Sequence, residues 1–326
     1  MGQIIEIKRK YIPFITINLF LLFITVYGVM SIFIDNIILR SLKEIILITI
    51  IFYIMLDFLK TGDTYSKKHS NSVLILIYII IIIGLLGTFN SSSLYVFLYG
   101  IKISILPIVG GFLIGMYVKK YGISLVKIFT FIYILCTTTW IVQNVLGLNK
   151  LMAMGFQYGI NVKNFNEQLR LPSIVGTPDG YAFLLCIVSI YLDMNLRSKK
   201  LLCIIFNIST TLFLILATIR SALVLWLFYH AFVFLIRIIR TQTRVRSLYA
   251  SLTFFLMAIL PLVYNFFIKG SSMSGTHSLM DRLSHWGTNL DPLYSLGGIV
   301  GNGMGSVGSS SLRLQRIGVS IDAYVV

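Results

Sequence analysis

The sequence predicts an all-α membrane protein, a single polytopic helix bundle with about nine transmembrane helices and two long extracytoplasmic loops. Three observations predict it. First, of 326 residues, 57% are hydrophobic and 12% charged, with a mean hydropathy of +0.90. A soluble domain is about 45–50% apolar and about 25% charged, so the surplus apolar surface has no place in water. Second, apolar runs of spanning length recur along the chain. Third, the basic residues behind the net charge of +16 lie mostly in the short segments between those runs. In a soluble chain that charge would suggest nucleic acid; here it reads as a set of topology determinants, and no nucleic-acid partner is expected.

The runs fall at about 11–34, 45–59, 73–89, 94–118, 123–148, 180–194, 201–219, 221–236 and 248–268. The first follows the basic patch in MGQIIEIKRKYIPF and has no small-residue cleavage site. It is too long for the apolar region of a signal peptide, so it stays as a membrane helix. The second and eighth are short and borrow flanking residues. The fourth carries Lys102, about 12 Å from its outer end at about 1.5 Å per residue. The fifth carries Lys127 close to its inner end, where the side chain snorkels. The sixth is entered through Pro178-Asp179-Gly180, a turn that leaves Asp179 able to cap the helix. The seventh and eighth are separated only by TIRSA. Their flanks, NLRSKK and RIIRTQTRVRS, are both strongly basic and belong on one face, so the chain turns back near Arg220. Cys136, Cys186 and Cys203 lie inside apolar runs without a CxxC or Cys/His cluster, which predicts neither a disulfide framework nor a metal site. No internal repeat or low-complexity tail is evident.

With the N-terminus cytoplasmic, the inner segments hold Lys8, Arg9, Lys10, Lys60, Lys67, Lys68, Lys119, Lys120, Arg197, Lys199, Lys200, Arg237, Arg240, Arg244 and Arg246. The outer segments hold fewer basic residues over more than twice the length. The two long polar loops, 149–179 and 269–320, then both face outward, and Arg220 lies at the same surface. Chemistry is expected at the external face of a membrane crossed many times.

Several residues in those loops could carry it. Arg170 precedes Gly176 and the Pro178 turn: it reads either as a solvated loop residue or as a planar cation held against the membrane to bind a lipid-linked phosphate. Arg220, between two spans with almost no loop, must lie at or below headgroup level, either snorkelling or paired with a ligand. In the second loop, HSLMDRLSHW puts His277, Asp281 and His285 at i, i+4, i+8, with Arg282 among them. A metal would need two or more ligands with fixed support around them, and a short amphipathic interfacial helix accounts for the pattern better. Further on, Gly303, Gly305 and Gly308 match the dinucleotide fingerprint G-x-G-x-x-G. The segment SSSLRLQRIG that follows is too short and serine-rich for a crossover helix, so no nucleotide cofactor is expected. The glycines instead let a loop pack closely against helices and a ligand.

The order of these motifs carries a resemblance. RLPSIVGTPDG, ATIRSA, DRLSHW, GNGMGSVG and SIDAYVV, in that sequence from about residue 170 onward, resemble the bacterial O-antigen polymerase and ligase superfamily, especially capsule and exopolysaccharide repeat-unit polymerases. Members often carry Asp-Asn where this chain has Asp322-Ala323, and continue through further helices, so the resemblance implies a C-terminally short member. It implies a glycosyltransferase-type enzyme for polysaccharide biosynthesis in the cell envelope, working without a cofactor on polyprenyl-pyrophosphate-linked oligosaccharides. Other polysaccharide-assembly proteins are the expected partners besides the lipid bilayer. It further implies that Arg170, Arg220 and Arg282 hold pyrophosphate and that Asp322 is the catalytic base or acceptor-orienting acid. His285 and Lys102 are further candidates. The alternative from another class is a transporter or flippase of lipid-linked oligosaccharide, which would be expected to show a repeat and a polar midplane cavity.

Overall fold

The computed structural model describes residues 2–34, 37–61, 98–165 and 168–240, with isolated helical residues between 78 and 86. It is mostly helical. The helices are α1 (Gly2–Phe33), α2 (Ile37–Thr61), α3 (Leu106–Lys120, preceded by a π-turn at Ile101–Ile105), α4 (Val126–Ala153), α5 (Pro178–Asn195), α6 (Lys200–Leu216) and α7 (Arg220–Arg240). Between α4 and α5 lies a short antiparallel hairpin of β1 (Lys163–Phe165) and β2 (Gln168–Arg170), which the sequence reading had treated as loop. The ninth predicted run and the second long loop lie outside the described residues, as does most of the third run.

Among the described residues, three helical stretches are long and apolar enough to cross a membrane: Phe14–Phe33, Leu98–Lys120 and Val126–Ala153. Shorter apolar helices span Lys200–Leu216 and Arg220–Ile236. Both expose large apolar side chains, among them Leu201, Ile205 and Ile208 on α6 and Val224 and Phe228 on α7. In water such faces would be unfavourable by about 25 cal/mol per Å²; against lipid they are at no disadvantage, and membrane association is the environment they fit.

The chain forms two compact units. In one, Glu44–Thr61 of α2 packs on the 98–123 segment, and the pairs advance together along both: Glu44 with Lys102, Leu47 with Gly110, Tyr53 with Tyr117, and Asp57 with Lys120. The two helices therefore run parallel. Both ends of this contact are ionic. Lys102 Nζ is 3.3 Å from Glu44, and Asp57 takes Lys120 at 3.2 Å and the Tyr121 hydroxyl at 2.6 Å. Pairing meets the cost of charge inside an apolar bundle.

The other unit holds Phe14–Lys43 and α4 to α7. Successive helices here run antiparallel. The Leu125 N–H, just before α4, donates to the Tyr191 hydroxyl near the end of α5 (3.2 Å), whereas Trp140, further along α4, stacks on Tyr181 near the start of α5. Ser189 meets Thr210 at 2.8 Å across α5 and α6, and Trp226 Nε1 donates to Thr211 Oγ1 at 3.0 Å across α6 and α7. The turn expected near Arg220 is present, with α6 ending at Leu216 and α7 opening at Arg220. The core is built around Tyr181, Leu185, Leu192, Leu214 and Trp226.

At one end of this unit a buried carboxylate ties three helices. Asp193 of α5 accepts from Cys203 Sγ (2.9 Å) and Asn207 Nδ2 (2.8 Å) on α6 and from the Tyr229 hydroxyl (2.6 Å) on α7. Arg197 lies 3.8 Å away. The His230 ring meets the Trp226 ring edge-on at 4.3 Å beside this tie, and no motif in the sequence marks Asp193. Aspartate near the end of an apolar run looks like an interfacial charge; only the packing of three helices buries it.

Candidate functional site

At the opposite end of the same unit the 154–177 connection folds back over the helix ends. α4 is broken at Gly147, whose φ of 74° and ψ of 171° no helix accommodates, and the connection turns again at Gly155 and Gly159, both with positive φ. After β2, Leu171 and Pro172 are buried and Ser173 begins a single 3₁₀ turn to Val175. Ser173 is fully buried and holds φ of 50°, a left-handed conformation that few residues other than glycine adopt. The surrounding polar groups over-determine it. Its hydroxyl donates to the Cys136 carbonyl (2.6 Å) and its own carbonyl accepts from Gln143 Nε2 (3.0 Å). Asn161 Nδ2 donates to the Gly176 carbonyl at 2.9 Å. Neither Asn161 nor Gln143 has a sequence signal that would have marked it, because each reaches this turn through a partner 15 or 30 positions away.

The entry into α5 differs from expectation. Thr177, in extended conformation, is the N-cap, and its hydroxyl oxygen accepts from the Gly180 N–H at 3.3 Å. Pro178 occupies the first helical position, which leaves Asp179 two residues past the cap; its carboxylate instead pairs with Lys163 at 3.2 Å.

Arg170 closes β2 and is half-buried. Its Nε donates to Thr218 Oγ1 at 3.0 Å and its terminal NH2 donates to the Thr218 carbonyl at 2.9 Å. Thr218 sits in the turn between α6 and α7 with φ of 56°. A β-branched residue in that region is strained by about 1–3 kcal/mol and persists only where its surroundings hold it. One guanidinium thus grips the side chain and the main chain of the most strained residue of the turn. Two residues later Arg220 opens α7, exposed at the end of the hairpin. Arg170 thus bonds into the turn from which Arg220 opens α7.

Lys102 belongs to the other compact unit, in the π-turn with its ammonium on Glu44. Arg282, His285, Asp322 and the glycine run 301–308 lie outside the described residues, as do His277 and Asp281. Among the described residues no group of three or more His, Cys, Asp or Glu side chains could hold a metal ion. A shallow groove of about 300 Å³, lined by Asn207, Ile208, Thr211 and Leu212, opens partway along α6 and has no cation on its wall. Thr218 is the residue sequence reading missed; its one signal was the helix break that the basic flanks demanded two residues before Arg220. Compared with family models, with curated proteins and with solved structures, the chain matches none.

Proposed function

We propose that the protein polymerises polysaccharide repeat units carried on polyprenyl pyrophosphate, at the outer leaflet of a bacterial cytoplasmic membrane, with its N-terminus in the cytoplasm. The observation that supports this reading is the pair of bonds from Arg170 to Thr218, which joins the RLPSIVGTPDG and ATIRSA motifs at one end of one helical unit. A hydroxyl of the acceptor oligosaccharide attacks the anomeric carbon of the donor. The new glycosidic C–O bond forms as the bond from that carbon to the phosphate oxygen breaks, and polyprenyl pyrophosphate leaves with the bonding electrons. The acceptor proton passes to a base, for which Asp322 is the candidate. Arg220, exposed at a helix N-terminus where the backbone dipole adds positive potential, suits the charge that grows on the leaving pyrophosphate. Arg282 is a third cation on the same reading, and His285 is a candidate of the same loop.

The test is the chain-length distribution of glycan made by purified protein from lipid-linked repeat units. Arg220→Ala is expected to lower elongation by about 10²–10³ with protein level intact, the usual cost of removing a preorganised electrostatic stabiliser. Asp322→Asn also fails, whereas Arg313→Ala retains polymer. Wild-type polymer from Arg220→Ala would overturn the reading, and transbilayer movement of the substrate without elongation would favour the flippase.

A further inference from the structure

We infer that Arg170 is a positioning residue that acts through Thr218, and that Arg220 is the cation which meets the lipid-linked pyrophosphate; this rests on the function proposed above. Arg170 Nε and NH2 both end on Thr218, at 3.0 Å and 2.9 Å, across 48 positions of sequence. Thr218 carries the only positive φ of a non-glycine residue besides Ser173 among the described residues. The turn around it is otherwise held by ordinary backbone bonds: Ala217 N–H to the Phe213 carbonyl, Thr218 N–H to Ile215 and Leu223 N–H to Ile219. The Thr218 N–H bond to Ile215 is that of a left-handed helix cap, a position that glycine usually fills. With the β-branched threonine there instead, the bidentate guanidinium adds the hold that offsets its strain, because it fits the Thr218 hydroxyl and carbonyl together. Strain that one long-range side chain maintains, two residues before an exposed arginine, is strain used to aim that arginine. Lysine at position 170 could reach one acceptor as a point charge but could not hold both.

The roles separate by rescue. Glycine adopts positive φ without strain, so Thr218→Gly lets the turn keep its shape without Arg170. The full-length protein in detergent is assayed for binding to polyprenyl pyrophosphate in phosphatidylcholine vesicles, with free inorganic pyrophosphate as the competing soluble source. Arg170→Ala and Arg170→Lys are expected to bind about tenfold more weakly. The double variant Arg170→Ala/Thr218→Gly is expected to return to within about threefold of Thr218→Gly alone. If glycine gives no rescue, Arg170 contacts the ligand directly and the inference is overturned. Amide exchange at Ile219–Leu223 provides a reading that needs no ligand: it should quicken in Arg170→Ala, and unchanged exchange would also overturn the inference. Wild-type binding by Arg220→Ala would instead remove the proposed site while leaving the exchange result intact, so the two failures are distinguishable. Competition by inorganic pyrophosphate as strong as by the vesicles would assign the site to free phosphates and not to lipid.

Discussion

Gly28 of α1 and Gly176 of the 3₁₀ turn touch backbone to backbone, with no room for a side chain on either. A Cβ on Gly28 would overlap the Val175 carbonyl, and one on Gly176 would lie 2.8 Å from the Gly28 Cα. Gly176 also holds φ of 87°, so it needs glycine for conformation as well as for space. This contact presses the first helix onto the loop that ends in Thr177 and opens α5.

Alanine at either glycine is therefore expected to destabilise the fold by more than the usual ~1–3 kcal/mol of overpacking, because the obstacle is main chain that cannot rotate away. Gly111→Ala and Gly115→Ala on α3 meet nothing within 4 Å and should stabilise, by about 0.5–1 kcal/mol each. Thermal denaturation of detergent-solubilised protein, followed by size-exclusion elution, reads both signs. A Gly28→Ala protein as stable as wild type would refute the close approach.

The Asp193 tie makes a second prediction. Interhelical hydrogen bonds between neutral groups in membrane proteins average about 0.6 kcal/mol and reach about 1.7. Bonds to a charged group are worth about 1.5–3 kcal/mol. Tyr229→Phe, which removes the 2.6 Å bond to Asp193, should therefore cost more than Ser189→Ala, which removes a 2.8 Å hydroxyl pair. Asp193→Ala should cost most, since it strands the donors of Cys203, Asn207 and Tyr229 together. A double-mutant cycle between Asp193→Asn and Tyr229→Phe checks the coupling; additive losses would mean that the two do not act as a pair.

Exposed ions should behave differently. Lys163 and Asp179 lie 3.2 Å apart with side chains 40% and 54% exposed. Such a pair is worth about 0–1 kcal/mol. Lys163→Ala is expected to leave the thermal midpoint within about 1 °C of wild type, and a larger drop would show the hairpin to be anchored by charge.

Sidedness is the fourth prediction. Antiparallel α4 to α7 place Lys163 and Ser221 at one end of the unit and Ser198, between α5 and α6, at the other. Single cysteines at these positions, in a background with Cys203→Ser, should label in that grouping with a membrane-impermeant maleimide on intact cells. The proposed orientation adds that Lys163 and Ser221 positions label from outside. Labelling of all three from one side would break the antiparallel arrangement itself.

What the sequence by itself determined is local and averaged. Spans emerge from hydropathy summed over some eighteen residues or more, and the α6–α7 break at Ala217–Ile219 emerges from the basic flanks on either side, because a charge near a helix end acts on topology wherever its side chain points. Arg170 and Arg220 stood out for the same reason: charges beside apolar runs are costly and few. The Pro178-Asp179-Gly180 turn left Asp179 able to cap α5, but backbone geometry gave that position to Thr177. Only the tertiary structure decided which polar atoms share a partner. Arg170 finds Thr218, Ser173 finds Cys136 and Gln143, and Asp193 finds Cys203, Asn207 and Tyr229. A hydrogen bond is satisfied within about 3 Å and weakens steeply off-line, so its partner depends on helix rotation and register, quantities to which periodicity along one chain is blind.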